Sequence, residues 1–331
     1  MTLVSVTDAE VVYHRHGRAV RAVAGASLTV DRGEVLGLVG ESGCGKSTLA
    51  KAILGLVPLT AGQIEFDGQR VEPLGRAARP MALRGMQMVF QDPYSSLNPR
   101  RRIGEQIADG IVLSGQATLR KGEQRARVAE LLERVQLPTE FARRYPHEFS
   151  GGQRQRIAIA RALAAEPRLI VADEAISALD VSAQASIANL LASLVAEMNM
   201  GLLFISHDLG IVRQLSDRIA VMYLGQVVET GPAADVWSRS AHPYGQALIG
   251  AIPSVDGGGG LPTDLPGDVP DPAAPPPGCR FHPRCPKAFA PCSTLVPELL
   301  PVAGSHLAAC HLHTHARAES ASTDRNPLGA S

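Results

Sequence analysis

The stretch GESGCGKST at residues 40–48 fits the pattern G-x-x-x-x-G-K-[ST], between the apolar run VLGLV (35–39) and a helix-like segment. The pattern has a mechanical basis: glycines let the backbone curl so that successive N–H groups face phosphate oxygens, and the next helix adds its positive dipole end. The sequence therefore predicts a strand, a phosphate-binding loop and a helix. The candidate nucleotide-binding residues of this loop are Gly40, Glu41, Ser42, Gly43, Cys44, Gly45, Lys46, Ser47 and Thr48.

Two side chains of this loop carry most of its expected chemistry. Lys46 can reach the β- and γ-phosphates of a nucleotide, and the hydroxyl of Ser47 can ligate Mg²⁺. Cys44 occupies a variable position of the pattern, and we interpret it as a small, tolerated residue.

A second acidic motif follows far along the chain, in RLIVADEAISALD at residues 168–180. Its apolar run ends in Asp173 and Glu174, and the carboxyl ends of parallel strands are where ligands bind in such sheets. We expect Asp173 to hold the Mg²⁺ shell and Glu174 to orient and polarise the attacking water. The alternative is that both acids are solvated loop residues.

The rest of the N-terminal region indicates an α/β domain. Apolar runs of strand length, typical of a parallel sheet covered on both faces, alternate with helical patterns such as residues 182–199. Between about 93 and 165 the strand signals stop, which predicts a helical insert. The further predicted strands are MQMVF (86–90), RLIVA (168–172), GLLFI (201–205) and RIAVMYL (218–224).

Composition limits the class of protein. The chain has 331 residues, 45% of them hydrophobic, and a formal net charge of zero, which disfavours nucleic acid as a partner. The N-terminus has no signal-peptide pattern and no window offers about 18 consecutive apolar residues, so we expect a cytoplasmic protein. Pro and Gly dominate residues 253–278, a predicted linker, and residues 314–331 are a predicted disordered tail.

A second anion-binding element is predicted in FSGGQRQRIAIARAL at residues 149–163. Ser150, Gly151 and Gly152 directly precede a helix, so their N–H groups and the helix dipole favour an anion. One chain thus carries two phosphate-binding elements, and they need not serve one nucleotide within a single chain.

Five motifs together resemble a known family. GESGCGKST, VFQDP, FSGGQRQR, IVADEAISALD and FISHD stand in the order and approximate spacing of the ATP-binding subunits of ABC transporters. The resemblance implies a P-loop core with a parallel-rich sheet and an N-terminal antiparallel portion, an ATPase domain at 1–252 and a helical subdomain at about 93–165. It also implies that two cassettes pair head to tail. Each ATP would then lie between one phosphate loop and the partner's copy of residues 150–153 (Ser150, Gly151, Gly152, Gln153).

The resemblance assigns roles to further residues. Gln91 would contact Mg²⁺ or the attacking water and sense the membrane partner, and so joins Ser47 and Asp173 as a Mg²⁺ residue. His207 would contact the γ-phosphate and complete a catalytic set with Glu174 and Gln91, although a lone histidine after a strand can be structural. Residues 177–180 would form the D-loop at the dimer interface.

One aromatic assignment and two departures complete the comparison. Tyr13 resembles the residue on which adenine stacks, and packing at a strand edge is the alternative. Ala175 and Ile176 stand where the family usually has Pro-Thr or Pro-Val, so the turn after Glu174 is expected to be less rigid. Phe149 replaces a common leucine. Neither departure removes a ligand or the catalytic acid.

Three segments resemble the oligopeptide/dipeptide uptake branch, namely residues 90–107, 241–253 and 275–312. This implies an ATP-hydrolysing subunit on the cytoplasmic face of the membrane, peripheral to it, that energises peptide import. Its partners would be a second ATPase (giving a heterodimer), two permeases and an extracytoplasmic solute-binding protein. Import of nickel or another small solute is the alternative. A soluble ABC ATPase acting on ribosomes or DNA, and a regulatory module without turnover, are the competing classes.

Four cysteines cluster in a predicted C-terminal module at 279–313. Cys279, Cys285, Cys292 and Cys310 have the spacing C-x5-C-x6-C-x17-C, wider than the tight pairs that open structural zinc sites. Four thiolates in a cytoplasmic chain suit an iron–sulfur cluster, and the resemblance to this branch favours [4Fe–4S]. Zn²⁺ and free or partly paired thiols remain alternatives, and neighbouring histidines could substitute as ligands. Those histidines are His282, His306, His311 and His313.

Overall fold

A computed structural model describes residues 1–15, 17–75, 79–92, 96–115, 119–252 and 267–313. The predicted tail at 314–331 and most of the predicted linker, residues 253–266, lie outside the described residues.

The chain begins with a four-stranded antiparallel sheet in the order β2-β1-β4-β5. Its long first hairpin pairs Thr2 with Asp31 at one end and Arg15 with Arg18 at the other. This is the antiparallel portion that the family resemblance implied. Its strands are β1 (Thr2–Arg15), β2 (Arg18–Asp31), β4 (Ala61–Phe66) and β5 (Gln69–Arg70).

The second sheet has eight strands, and five neighbouring ones are parallel. The order is β11-β12-β10-β9-β3-β8-β7-β6. The predicted apolar runs coincide with its central strands to within one residue at each end, which confirms the parallel α/β core. The strands are β3 (Val35–Val39), β6 (Met86–Val89), β7 (Leu169–Asp173), β8 (Gly201–Ile205), β9 (Arg218–Tyr223), β10 (Gln226–Pro232), β11 (Leu300–Ala303) and β12 (His306–Ala308).

Strand β3 shows why the predicted runs are continuously apolar. Leu36 and Leu38 belong to a core shared with the small sheet, whereas Val35 and Val39 belong to a core shared with the helices. Because side chains alternate across a strand and both faces are covered, every position must be apolar.

Three α-helices of the predicted helical insert lie wholly within the described residues. The α-helices whose bounds are described are α1 (Lys46–Ile53), α2 (Ile103–Leu113), α3 (Lys121–Arg134), α4 (Gly151–Leu163), α5 (Val181–Met198), α6 (Leu209–Leu215), α7 (Ala233–Arg239) and α8 (Pro243–Gly250). Short 3₁₀ helices lie at Met81–Gly85, Thr139–Arg143, Pro146–Glu148, His282–Arg284 and Ala290–Ser293.

By length and apolar content alone, α5 is the one helix in the described part of the chain that could cross a membrane. Its residues Ile187, Leu191 and Leu194 are buried in the same core as Leu202 and Phe204 of β8. Packing against the sheet therefore accounts for its apolar face.

The C-terminal segment is joined to the large sheet. Strand β12 pairs with β10 through Glu229 opposite Ala308 and Thr230 opposite Leu307, and β11 pairs with β12. The buried His306 lies 2.7 Å from a carboxylate oxygen of Glu229. The cysteine-containing segment thus extends the large sheet beyond β10. Its predicted bounds, residues 279–313, stay a prediction.

Candidate nucleotide site

The phosphate loop lies between β3 and α1, and two of its glycines are required by close packing. A Cβ at Gly40 (φ 151°) would lie 2.1 Å from the carbonyl oxygen of Met222, and one at Gly45 (φ 109°) would lie 2.1 Å from that of Ala22. Any side chain there would clash with backbone that cannot yield. The loop is therefore held between β9 and β2.

Lys46 and Ser47 begin α1, directly after the loop. The ammonium of Lys46 donates to the carbonyl oxygens of Gly40 at 2.7 Å and Glu41 at 2.9 Å. The hydroxyl of Ser47 donates to a carboxylate oxygen of Asp173 at 2.9 Å. Ser47 and Asp173, two of the three residues predicted to bind Mg²⁺, thus meet from distant parts of the chain.

Asp173 is the last residue of β7 and is buried. Burial raises the pKa of its carboxyl group, and the nearby charge of Glu174 raises it further, while the hydrogen bond from Ser47 acts in the opposite direction. Burial disfavours the ionised form of this carboxyl group, and a divalent cation at its oxygens would favour that form. Its oxygen, next to the hydroxyl of Ser47, fits the oxygen donor set that Mg²⁺ prefers.

Glu174 occupies a left-handed backbone conformation, with φ 48°. Its N–H donates to the carbonyl oxygen of Ile205 at 2.9 Å, and its own carbonyl accepts from the N–H and hydroxyl of Ser177 at 3.2 Å and 2.9 Å. Left-handed non-glycine residues cost energy and concentrate at functional sites. These bonds fix the turn that lacks the family's proline.

Gln91 and His207 meet at the carboxylate of Glu174. The side-chain amide of Gln91 donates to Oε2 of Glu174 at 3.0 Å and to Oγ of Ser177 at 3.4 Å. Nδ1 of His207 lies 3.9 Å from the same Oε2, and this imidazole is 63% exposed. The carboxylate of Glu174, the amide of Gln91 and the imidazole of His207 therefore converge. Such an arrangement can hold a water molecule and accept its proton.

The second predicted anion site is not part of this convergence. Ser150 caps α4 by accepting from the N–H of Gln153 at 3.3 Å, while the Gln153 side chain accepts from the N–H of Ser150 at 3.0 Å. Gly151 and Gly152 lie beside Leu179 and Ala183 respectively. This helix start thus packs against the predicted D-loop and the start of α5.

Tyr13 lies on the hairpin that touches the phosphate loop from the other side. It pairs with Val20 across β1 and β2, and its side chain is 37% exposed. The same hairpin brings Ala22 against Gly45. Its role as a stacking surface for adenine remains a prediction.

Sequence reasoning missed two residues that hold the phosphate loop. The hydroxyl of Tyr244 accepts from the N–H of Glu41 at 2.8 Å, and both carboxylate oxygens of Glu41 bind Arg284. The segment containing Tyr244 stood out only by its family resemblance, and no local pattern around Arg284 points to a partner 243 residues away.

The four C-terminal cysteines line one cavity of about 10 Å³, together with Phe281, His282 and His311 among others. This volume is about that of a single probe sphere for water. Burial raises the pKa of Cys279 and Cys285, and raises that of Cys310 to about 11. Across the described residues, no group of three or more His, Cys, Asp or Glu side chains has the geometry to hold a metal ion. The convergence of the cysteines is established, but the predicted [4Fe–4S] or Zn²⁺ site has no support from this geometry.

The fold and the site together define an ATP-binding cassette. Residues 23–177 match the family described as "ABC transporter", and residues 228–292 match "Oligopeptide/dipeptide transporter, C-terminal region". The second match begins within β10 and includes α7, α8 and the first three cysteines of the cluster.

Curated relatives resemble nearly the whole chain. A peptide import ATP-binding protein of Brucella abortus is 52% identical over 300 residues, covering 90% of this chain and 88% of the relative. A peptide import ATP-binding protein of Brucella ovis is 47% identical over 309 residues, covering 93% and 97%. This chain belongs to the ABC transporter family of ATP-binding subunits, in the group with the oligopeptide/dipeptide C-terminal region.

Solved structures confirm the cassette fold. The dimeric cassette MJ0796, in a post-hydrolysis state bound to ADP and phosphate, superposes with a TM-score of 0.64 at 29% identity, covering 70% of this chain and 98% of that one. The cbiO1 protein from Clostridium perfringens, part of the transporter complex cbiONQ, has a TM-score of 0.62 at 27% identity, covering 72% and 91%.

Replacing Glu174 by Gln tests its role as the base. The amide retains an oxygen that can accept from Gln91, so we expect ATP affinity to persist, while loss of the proton acceptor slows phosphate release about 10²–10⁴-fold. Single-turnover phosphate release at saturating ATP measures this. Glu197→Gln, at an exposed position near the end of α5, is the matched control. Near-wild-type release by Glu174→Gln would exclude Glu174 as the base.

Replacing Asp173 by Asn tests whether the buried carboxylate of Asp173 destabilises the fold at neutral pH. Because its pKa is raised from 3.8, the folded state holds this proton more tightly than the unfolded chain, and stability falls as the pH rises through the raised value. In the absence of nucleotide we therefore expect Asp173→Asn to be more stable than wild type at pH 7. This advantage disappears as the pH falls toward 3.8. Urea unfolding at a series of pH values measures both effects.

Asp180→Ala provides a control of opposite sign. Hydrogen bonds from Ser182 and from the N–H of Ala183 lower the pKa of Asp180, so its carboxylate stabilises the fold at pH 7 and that contribution is lost as the pH falls. A destabilised Asp173→Asn at neutral pH would contradict the account of Asp173.

Proposed function

We propose that this chain is the ATP-hydrolysing subunit of an ABC importer for oligopeptides or dipeptides. The observation that carries the proposal is the meeting of Gln91 and His207 at Glu174, beside the contact between Ser47 and Asp173. A nucleotide seated on the phosphate loop would present its γ-phosphate to these groups.

Each residue has one expected task. Mg²⁺ held by Ser47 and Asp173 would neutralise charge on the β- and γ-phosphates. Lys46 binds the same phosphates, and Glu174 accepts the proton of the attacking water, which Gln91 positions. His207, exposed and close to Glu174, contacts the γ-phosphate. Tyr13 carries the adenine.

The helix start at residues 150–153 serves the nucleotide of a second ATPase subunit. Its support is its position against the predicted D-loop, where Gly151 lies beside Leu179. Two cassettes then close around two nucleotides, and hydrolysis reopens them, so that ATP biases a two-state equilibrium. We propose that the pair is a heterodimer that binds two permeases at the cytoplasmic face of the membrane. An extracytoplasmic solute-binding protein would deliver the cargo to these permeases.

Peptide is the proposed cargo because the relatives with 47–52% identity are named for peptide import, and because residues 228–292 match the oligopeptide/dipeptide region. Nickel is the alternative cargo within the same branch.

Uptake by whole cells tests the function and the cargo together. In a strain lacking the chain, we expect uptake of labelled dipeptides or oligopeptides to be lost, and nickel uptake to be unchanged. Wild type restores peptide uptake, whereas Glu174→Gln does not. Loss of nickel uptake with normal peptide uptake would overturn the peptide assignment. Normal uptake of both solutes would overturn the proposal that this chain energises their import.

We propose in addition that the four cysteines take up a [4Fe–4S] cluster: they line one cavity and could supply all four thiolate ligands, but only after moving into a metal-binding geometry that they do not have here. The thiols would have to ionise and spread, because the cavity is about 10 Å³ and burial favours their protonated form.

Anaerobic purification tests the cluster. We expect brown protein with iron and acid-labile sulfide, absorbing at about 400 nm as Cys-ligated clusters do. Cys292→Ala should lose the colour, while Cys44→Ala, in the phosphate loop, retains it. Colourless protein with stoichiometric zinc would replace the cluster with zinc, and metal-free protein would exclude both.

A further inference from the structure

Glu41 is the point at which the phosphate loop is anchored to the C-terminal half of the chain. Its N–H donates to the hydroxyl of Tyr244 at 2.8 Å, and its carbonyl accepts from the ammonium of Lys46 at 2.9 Å and the N–H of Cys44 at 3.3 Å. Its carboxylate accepts two parallel bonds from Arg284, at 2.8 Å and 3.0 Å. Every polar group of Glu41 is therefore engaged, and its side chain leads out of the loop.

The Arg284 side chain is only 4% exposed. Its guanidinium also bonds the hydroxyl of Tyr223 at 3.3 Å and lies 5.9 Å from the ring centroids of Tyr223 and Phe281. The bonds to Glu41 raise the pKa of Arg284, so it remains charged. A two-pronged arginine–carboxylate pair fixes orientation as well as distance, which a lysine cannot do.

The position of Arg284 connects this pair to the cysteine cavity. It ends the 3₁₀ turn His282–Arg284, with Cys279 before the turn and Cys285 directly after it. Phe281 packs edge-on against Tyr223, with ring centroids 5.3 Å apart, and Arg280 bonds the carbonyl of Leu224. The turn is thus seated on the end of β9, beside the phosphate loop.

We propose that Arg284 is a positioning residue for nucleotide binding: it fixes Glu41, and through it the phosphate loop that Glu41 shares with Lys46. The inference rests on the proposed nucleotide function. It assigns the cysteine-containing segment a part in the ATP site of its own chain. Without Arg284, the loop must be ordered by the nucleotide. The apparent affinity is then the intrinsic affinity multiplied by the fraction of molecules in which the loop is correctly formed.

This mechanism predicts a particular kinetic pattern. Because Arg284 acts on the loop and not on the reacting atoms, ATP and ADP affinity should fall by the same factor, with kcat at saturating ATP unchanged. A factor on the order of tenfold lies in the range usual for coupling between sites. The pattern is opposite to that of Glu174→Gln.

The chain offers a matched control at the other end of the same strand. Glu34 precedes β3 and pairs with Arg218 at 2.9 Å, whereas Glu41 follows β3 and pairs with Arg284. Arg218→Met removes a partly buried ion pair of the same kind without touching the loop. Arg218→Met therefore shows how much nucleotide affinity is lost when the fold is destabilised without a change at the phosphate loop.

The experiment measures ATP and ADP dissociation constants, kcat and urea unfolding for the full-length chain. The variants are Arg284→Met, Arg284→Lys, the double variant Glu41→Gln/Arg284→Met, and Arg218→Met. We expect about tenfold weaker binding of both nucleotides for Arg284→Met, and a smaller loss for Arg284→Lys. Removing both charges should recover stability while binding remains weak, because no unpaired charge is left buried.

Three outcomes would overturn the inference. They are wild-type affinity in Arg284→Met, equal loss of affinity in Arg218→Met, and recovery of affinity together with stability in the double variant. If Arg284→Met does not fold, the double variant and Arg284→Lys decide by the same criteria. Lys46→Ala is included because unchanged ATP binding in that variant would refute the proposed nucleotide site itself, independently of Arg284.

Discussion

The close approach of the phosphate loop to two carbonyl groups is the constraint on which the rest of the molecule depends. Gly40 lies against Met222 of the large sheet and Gly45 against Ala22 of the small sheet, with no room for a Cβ at either position. These contacts fix both sheets relative to the loop. They also place the start of α1, with its positive dipole end, at one defined point of the fold.

The same geometry explains why residues far apart in sequence meet. Strands β6, β7 and β8 are neighbours in the sheet, and Gln91, Glu174 and His207 follow them near their carboxyl ends. In a parallel sheet these ends share one edge, so three loops deliver an amide, a carboxylate and an imidazole to a single place. The hydroxyl of Ser47 reaches Asp173 along the same edge, because β3 is the next strand in order.

The sequence predicts what is encoded locally. Continuous apolar runs identify β3, β7 and β8 because these strands are buried on both faces. The phosphate loop is recognisable in the sequence because Gly40 and Gly45 occupy positions at which a Cβ would clash with backbone. The two-pronged contact of Arg284 with Glu41 leaves no such trace, since an arginine–carboxylate pair has no periodicity and joins residues 243 positions apart. The sequence does not predict β11 and β12 either, because these strands have only four and three residues. In addition, β11 alternates between half-buried and exposed positions, so no residue of it is fully buried. Four clustered cysteines and the family resemblance predicted a metal site. The four thiols do line one cavity, but the described residues have no metal-binding geometry.

The distance along the chain between Glu41 and Arg284 has a consequence for synthesis. The phosphate loop leaves the ribosome early, whereas Arg284, which binds Glu41 of that loop, is synthesised 243 residues later. At typical translation rates, this delay is about 12–50 s. The nascent cassette can form its central strands during that time, but the ion pair at its phosphate loop is completed only near the end of translation.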